Sequence, residues 1–239
     1  MDPLKFTTAW LDERLSNCAT DEERTVQTIY FVTCAGDFLV DECYQLSRAL
    51  YKQGVETNDY ALQAFGIHQQ GYHLRFKGRH EEANAFTREA EKLLQKSKTG
   101  FALTVVTQMI AFDYWTNGER DKAFEMSYAS RKIAEGYGDD VMGWSDFQLA
   151  VFHYDLKDYD NADKYFTIAQ SHAEKYHLTY QLGRIQCGMA AIAIARNDLD
   201  AAKVLTEKAL VGFRSCGQLT AVSRALNDLG TIHASRAET

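Results

Sequence analysis

The most regular feature of the sequence is the return of apolar residues at spacings of three and four positions. This spacing places them on one face of an α-helix and predicts amphipathic helices. It is clearest in Phe86–Leu94 and Ala162–Ala169. No segment alternates apolar and polar residues as a half-buried strand does, and the single proline, Pro3, leaves the rest of the chain free of helix breakers. The pattern predicts an all-α protein.

A six-residue motif recurs about every forty residues and marks the start of a helix each time. Each copy combines a turn signal, an acidic first helical turn and a closing alanine. The copies begin at Gly78, Gly118, Lys157 and Asn197. The closing alanines, which lie 40, 39 and 40 residues apart, are Ala83, Ala123, Ala162 and Ala202. A fixed period of this length predicts an α-solenoid, in which helix pairs stack on one another.

The motif divides the chain into successive helix pairs. The predicted pairs span 59–77 with 79–97, 99–117 with 119–136, 139–156 with 158–176, and 178–196 with 198–215. A weaker repeat lies upstream, where Cys43 falls forty residues before Ala83, and the capping box of Thr20 and Glu23 starts its first helix. We expect residues 1–19, opened by Asp2 and Pro3, to form a capping helix. Residues 20–239 then form a solenoid of about five and a half repeats.

The last segment, Leu219 to Arg236, has the pattern of a first helix whose partner is missing. An unpaired helix of this kind either caps the solenoid or belongs to a repeat that continues into a longer chain. Because the repeat pattern persists up to the final residues, we expect this chain to be the N-terminal part of a longer protein.

Small residues twelve positions before each closing alanine reveal a resemblance to a known repeat family. They are Gly71, Ala111, Ala150 and Ala190, followed after another forty residues by Gly230. This resembles the tetratricopeptide repeat (TPR) pattern, in which a small residue of the first helix packs against the alanine of the second. The period near 40 exceeds the usual 34, and the proline that often closes a repeat is absent. The resemblance, which covers about residues 20–239, implies a right-handed superhelix of antiparallel helix pairs, similar to the TPR arrays of bacterial regulatory and sensor proteins.

The resemblance also implies a binding groove, because the first helix of each TPR lines the concave face. Carried over by position, the groove residues are Phe65, His68, Tyr72, Arg75, Phe76, Gln108, Phe112, Trp115, Trp144, Phe147, Tyr154 and Arg184. Aromatic side chains with a few polar ones are typical of a peptide-binding surface. An aromatic on a helix face also fits packing between helices, and a shift of one position would bury several of these residues.

Motifs for catalysis or cofactor binding do not occur. His68 and His73, like His172 and His177, are five residues apart, so neither pair shares the helix face that a metal site needs. A nucleophile elbow and a phosphate-binding glycine loop are both missing. We expect no catalytic residue, no metal and no cofactor.

The composition of the chain limits the kinds of partner it can bind and the cellular compartment in which we expect it. The net charge is -7, with basic and acidic residues interleaved, which argues against nucleic-acid binding. Five scattered cysteines, an odd number without a C-x-x-C pair, favour reduced thiols in the cytoplasm. An apolar run of 18 residues does not occur, so we expect no membrane segment.

Three functions are compatible with these features. The first is a non-catalytic domain that binds a protein or peptide segment in its groove, as the sensory or regulatory region of a larger bacterial signalling protein. The second is a free-standing scaffold or assembly adaptor that self-associates through its last helix. The third is a regulator similar to some peptide receptors with such repeats, with phosphatase-like activity, although no residue stands out for that chemistry.

Overall fold

The computed structural model describes residues 8–35, 40–97, 100–136, 139–215 and 219–237. Within these ranges the chain forms twelve α-helices and no strands, as the apolar spacing predicts. The helices are α1 (Thr8–Ser16), α2 (Asp21–Ala35), α3 (Val40–Glu56), α4 (Tyr60–Phe76), α5 (His80–Leu94), α6 (Phe101–Thr116), α7 (Arg120–Ala134), α8 (Asp139–Asp155), α9 (Tyr159–Lys175), α10 (Thr179–Ala195), α11 (Leu199–Ser215) and α12 (Leu219–Ala237). The described residues divide into two compact units, an N-terminal unit of residues 8–136 and a C-terminal unit of residues 139–237.

In the N-terminal unit, α2 begins where a local signal places it. α1 packs against α2, and its Trp10 ring stacks on Phe31 with centroids 6.0 Å apart. Asp2 and Pro3, the predicted start of a capping helix, lie outside the described residues. The capping box before α2 is confirmed, because Thr20 Oγ1 accepts a hydrogen bond from the Glu23 amide at 3.1 Å and Glu23 accepts from the Thr20 amide at 3.3 Å.

The turn that opens each recurring motif has one backbone conformation in all four copies. Its first residue has a positive φ, namely 73° at Gly78, 85° at Gly118, 62° at Lys157 and 61° at Asn197. Two backbone hydrogen bonds close the turn; in the first copy Gly78 N donates to Arg75 O and Arg79 N to Leu74 O, each at 3.0 Å. This left-handed termination ends the first helix of a pair and turns the chain into the second.

Small residues allow the two helices of a pair to approach closely. A Cβ atom on Gly71 of α4 would lie 2.6 Å from the Phe86 Cβ and 3.1 Å from the Ala83 carbonyl oxygen of α5. The closing alanines of all four motifs are fully buried. The predicted contact between the small residue of the first helix and the alanine of the second is therefore present in this pair.

The C-terminal unit repeats this packing with an apolar core. α8 pairs with α9 and α10 with α11, while α9 also packs on α10 and α11 on α12. The core includes the buried residues Ala150, Ala162, Phe166, Ile185 and Ile192. Gly230 of α12 occupies the small-residue position, but it is exposed, and a Cβ atom there would meet no described atom within 4 Å.

Candidate peptide-binding face

The first helices of the C-terminal unit present a continuous, partly exposed row of side chains. We call it the α8–α10 face and define it as Trp144, Phe147, Val151 and Tyr154 of α8 with Arg184, Cys187, Ala191 and Ile194 of α10. On each helix these residues follow spacings of three, four and three, which places them on one side. All eight are half-buried or exposed. Trp144, Phe147, Tyr154 and Arg184 are thus accessible where the sequence predicts groove residues.

Aromatic contacts hold the face in place. The Arg184 guanidinium lies 4.6 Å from the ring centroid of Phe147 and 5.9 Å from that of Tyr180, so it joins α10 to α8. Phe147 in turn packs edge-on against Phe166 with centroids 5.8 Å apart, and Tyr154 packs against Tyr159 at the same separation. Phe147 and Tyr154 are each packed against the core on one side and partly exposed on the other. A preorganised surface of this kind lowers the entropic cost of binding.

Cys187, in the middle of the face, is not arranged as a nucleophile. Burial, together with the nearby Asp228 carboxylate, raises the pKa of its thiol to about 11, while Arg224 acts weakly in the opposite direction. A thiol with this pKa stays protonated at neutral pH, whereas a reactive cysteine needs a thiolate. Cys187 therefore contributes a small apolar surface to the face.

In the N-terminal unit the predicted groove residues have mixed exposure. Phe112 of α6 is 47% exposed, and Tyr72 and Gln108 are half-buried. Arg75 is also accessible, but its guanidinium binds the Asp113 carboxylate. The side chain of Phe76 lies outside the described residues.

The exposure expected of three predicted groove residues is wrong, because Phe65, His68 and Trp115 are almost fully buried. Phe65 and His68 belong to a stretch of α4, residues 61–69, that α3, α5 and α6 cover. The guanidinium of Arg120 covers Trp115 and lies 3.8 Å from the centroid of the Trp115 ring. Phe124 packs against the same ring in an edge-to-face arrangement. The predicted groove residues of α8 and α10 are accessible, whereas neighbouring helices cover more of α4.

A buried polar network crosses the N-terminal unit and centres on Asp113 of α6. His68 Nε2 lies 3.0 Å from Asp113 Oδ2, and the Thr87 hydroxyl donates to the same oxygen at 2.6 Å. Arg75 Nη1 donates to the other carboxylate oxygen, Oδ1. Burial alone would raise the pKa of Asp113, but the His68 and Arg75 side chains outweigh it and hold that pKa well below its ordinary value.

Sequence reasoning missed Asp113, although its repeat position carried a signal. The position two residues after the small residue of the first helix is buried in five repeats. Its occupants are His73, Asp113, Phe152, Ile192 and Ile232. Later repeats fill it with apolar side chains, so a carboxylate at this position has to be buried and paired. Comparison of the repeats at this position would have identified Asp113 as a core residue.

Within the described ranges no group of three or more His, Cys, Asp and Glu side chains is close enough to hold a metal ion. The helices in those ranges are also too short or too polar to span a bilayer.

Comparison with known proteins identifies the fold. No family model and no curated protein matches this sequence. Among solved structures, aspartyl phosphate phosphatase F from Bacillus subtilis aligns with a TM-score of 0.64 and 14% identity, over 97% of this chain and 65% of that one. BtubC (BKLC) from P. vanneervenii aligns with a TM-score of 0.56 and 16% identity, over 92% and 94% of the two chains. A Rap protein complexed with competence and sporulation factor aligns with a TM-score of 0.56 and 12% identity, over 96% and 69%.

These solved structures are TPR-type helical-repeat proteins, and this chain shares their fold. The TPR resemblance of the sequence is therefore confirmed at the level of the fold. The chain spans about two thirds of the length of the phosphatase, and identities of 12–16% extend the likeness no further than architecture.

Proposed function

We propose that this chain is a non-catalytic interaction domain that binds an extended peptide or protein segment along the α8–α10 face. The observation that carries the proposal is the half-exposed row of Trp144, Phe147 and Tyr154, in which Phe147 lies against the guanidinium of Arg184. Aromatic and arginine side chains dominate the binding energy of most protein interfaces. The solved Rap structure with competence and sporulation factor supports this assignment, since a TPR-type neighbour of similar architecture is complexed with that factor.

We place the domain in a cytoplasmic bacterial signalling protein, as its sensory or regulatory region. A ligand that contacts both α8 and α10 favours one spacing of these helices over others. Such differential binding is the way a ligand shifts a conformational equilibrium. The five cysteines, odd in number and widely scattered in the sequence, are consistent with a reducing compartment.

A peptide-display selection on the immobilised protein tests the proposal. We expect linear peptides to be enriched, and the variant Tyr154→Ala to weaken their binding by about tenfold or more, as loss of a hot spot does. Tyr176→Ala is the matched control, because Tyr176 is 39% exposed at the end of α9, outside the face. Failure to enrich any peptide, or equal losses in the two variants, contradicts the proposal.

Self-association is a second candidate, favoured by apolar side chains on the last two helices. Val211 of α11 is 67% exposed and Leu226 of α12 is 46% exposed. Where such side chains join into one contiguous patch, they mark an interaction surface. Light scattering after size-exclusion chromatography decides the point: a dimer that Leu226→Lys converts to a monomer supports self-association, and a monomeric wild-type protein excludes it.

A further inference from the structure

Arg184 is the most informative side chain of the α8–α10 face, because no carboxylate in the described part of the chain lies within ion-pairing distance of its guanidinium. Its cation–π partners there are the rings of Phe147 and Tyr180. Arg196, at the end of the same helix, bonds Asp160 at 2.8 Å and Asp163 at 3.3 Å. The two arginines of α10 therefore differ in whether the protein itself supplies an anion.

The ring contacts of Arg184 leave its N–H donors available to a ligand, because among the described residues these donors have no hydrogen-bond acceptor. The five N–H donors of a guanidinium point outward in its plane. Arg184 is half-buried, so water solvates these donors less than at an exposed site. A carboxylate can accept two of them in parallel, which is the geometry that arginine recognises best.

Side-chain size along α10 leaves room for such a ligand group. The positions that follow Arg184 on the face carry the small residues Cys187 and Ala191, while α8 carries Trp144 and Tyr154 at its matching end positions. An extended segment lying over the small residues would contact the aromatic side chains laterally. Its own side chains would then alternate toward and away from the protein.

The charges around the face are mixed, because the Asp228 carboxylate of α12 lies near Cys187 together with Arg224. Arg224 occupies the repeat position of Arg184 on α12 and is exposed. Asp155, the acidic side chain at the C-terminal end of α8, is eleven residues from Trp144, which corresponds to about 16 Å along the helix. A peptide carboxylate next to Arg184 would therefore avoid the repulsion expected near Asp155.

We propose that Arg184 sets the specificity of the α8–α10 face by receiving the side-chain carboxylate of an Asp or Glu residue in an extended peptide. This inference rests on the proposed peptide-binding function and adds the chemistry of the ligand. Phe147 positions the guanidinium, and the ligand completes the ion pair that the described residues do not give Arg184.

The test is a selection of random linear peptides displayed with a blocked C-terminus, so that only side chains supply carboxylates. It is run on the wild type, on Arg184→Gln and on the control Arg196→Gln. We expect one position of the selected peptides to be enriched in Asp and Glu on the wild type and on Arg196→Gln. On Arg184→Gln this enrichment should be lost, although peptides are still selected.

A binding measurement with one selected peptide complements the selection and tests the direct contact. Exchange of the peptide's acidic residue for the matching amide should weaken binding to the wild type about tenfold or more. The same exchange should weaken binding to Arg184→Gln less than twofold, because the peptide change and the protein change remove the same interaction. The measurement on the wild type alone remains informative if Arg184→Gln fails to fold, since a peptide whose acid can be exchanged without loss overturns the inference.

The outcomes separate the two proposals. Absence of any selected peptide defeats the peptide-binding function itself. Peptides that depend on Tyr154 but show no acidic preference, or keep that preference on Arg184→Gln, overturn only the role of Arg184. Binding that requires a free peptide C-terminus would assign Arg184 to a terminal carboxylate and would also overturn the inference as stated.

Discussion

The Nε2 atom of His68 lies 3.0 Å from the Oδ2 atom of Asp113, and both side chains are almost completely buried. This contact joins α4 to α6, and Arg75 and Thr87 complete the coordination of the carboxylate. A buried carboxylate is tolerated only when such partners replace its hydration. The network therefore makes the packing of α4, α5 and α6 depend on one charged group.

Replacement of Asp113 by Asn should lower the free energy of unfolding by about 3 kcal/mol, because it leaves the half-buried guanidinium of Arg75 without its counterion. Urea unfolding followed by circular dichroism measures the loss. Asp12→Asn is the control: Asp12 is exposed on α1, and its substitution should change stability by less than about 0.5 kcal/mol. Equal stability of the two variants would show that the network contributes little.

A fall in pH should weaken the contribution of Asp113 to folding stability. Its pKa is lower in the folded protein than in the unfolded chain, so its carboxylate stabilises the fold above the unfolded pKa of about 3.9. This contribution declines as the pH falls below that value toward the folded pKa. The stability difference between the wild type and Asp113→Asn should accordingly shrink between about pH 5 and pH 3. A difference that stays constant over this range, in the same urea measurement, contradicts the argument.

Two glycines at the same repeat position should respond in opposite ways to alanine. Gly71→Ala should destabilise the protein by about 1–2 kcal/mol, because the added Cβ would lie 2.6 Å from the Phe86 Cβ and the helices must separate. Gly230→Ala should stabilise by roughly 0.5–1 kcal/mol, because that helical position has open space around it. Thermal unfolding of both variants tests these two predictions. Higher stability of both variants would mean that α4 and α5 are less closely packed than described.

Lys157 occupies a left-handed turn position that glycine fills in two other repeats. With a φ of 62°, its side chain pays a conformational cost that glycine avoids. Lys157→Gly should therefore raise the free energy of unfolding by about 0.5 kcal/mol. Lys208→Gly, in the exposed interior of α11, should lower it by roughly 1 kcal/mol. The midpoints of urea unfolding measure the stability of the two variants. Destabilisation by both substitutions would argue against the left-handed conformation at Lys157.

The two predicted groove tryptophans should separate stability from binding. Trp115→Ala should cost about 3 kcal/mol or more of folding stability, because Trp115 is 5% exposed and packs under Arg120. Trp144→Ala should cost less stability, because Trp144 is partly exposed, and should reduce peptide affinity by about tenfold if it is a hot spot. Unfolding curves measure the stability of both variants, and titrations with a selected peptide measure their affinity. If Trp144→Ala proved less stable than Trp115→Ala, the assignment of Trp115 to the core and Trp144 to the binding face would be contradicted.

Helix boundaries were readable from the sequence because the signals that set them are local. The predicted helix 178–196 and the observed Thr179–Ala195 agree within one residue at each end. Capping groups such as Thr20 and Glu23, and turn residues such as Gly78, act through hydrogen bonds to their own backbone neighbours. The period of forty follows from the spacing of these local signals, and with it the helical-repeat fold.

Exposure within the repeats was not readable in the same way, since it depends on which helices cover a residue. Phe65 and Arg184 occupy the same repeat position, yet Phe65 is buried under the helices around α4 while Arg184 is partly open to solvent. Asp113 and Phe152 also share a position, and only the side chains of His68, Arg75 and Thr87, between 26 and 45 residues away in the sequence, make a carboxylate acceptable there. Periodicity specifies the direction of a side chain along its own helix, whereas burial and charge pairing require neighbours that only packing brings together.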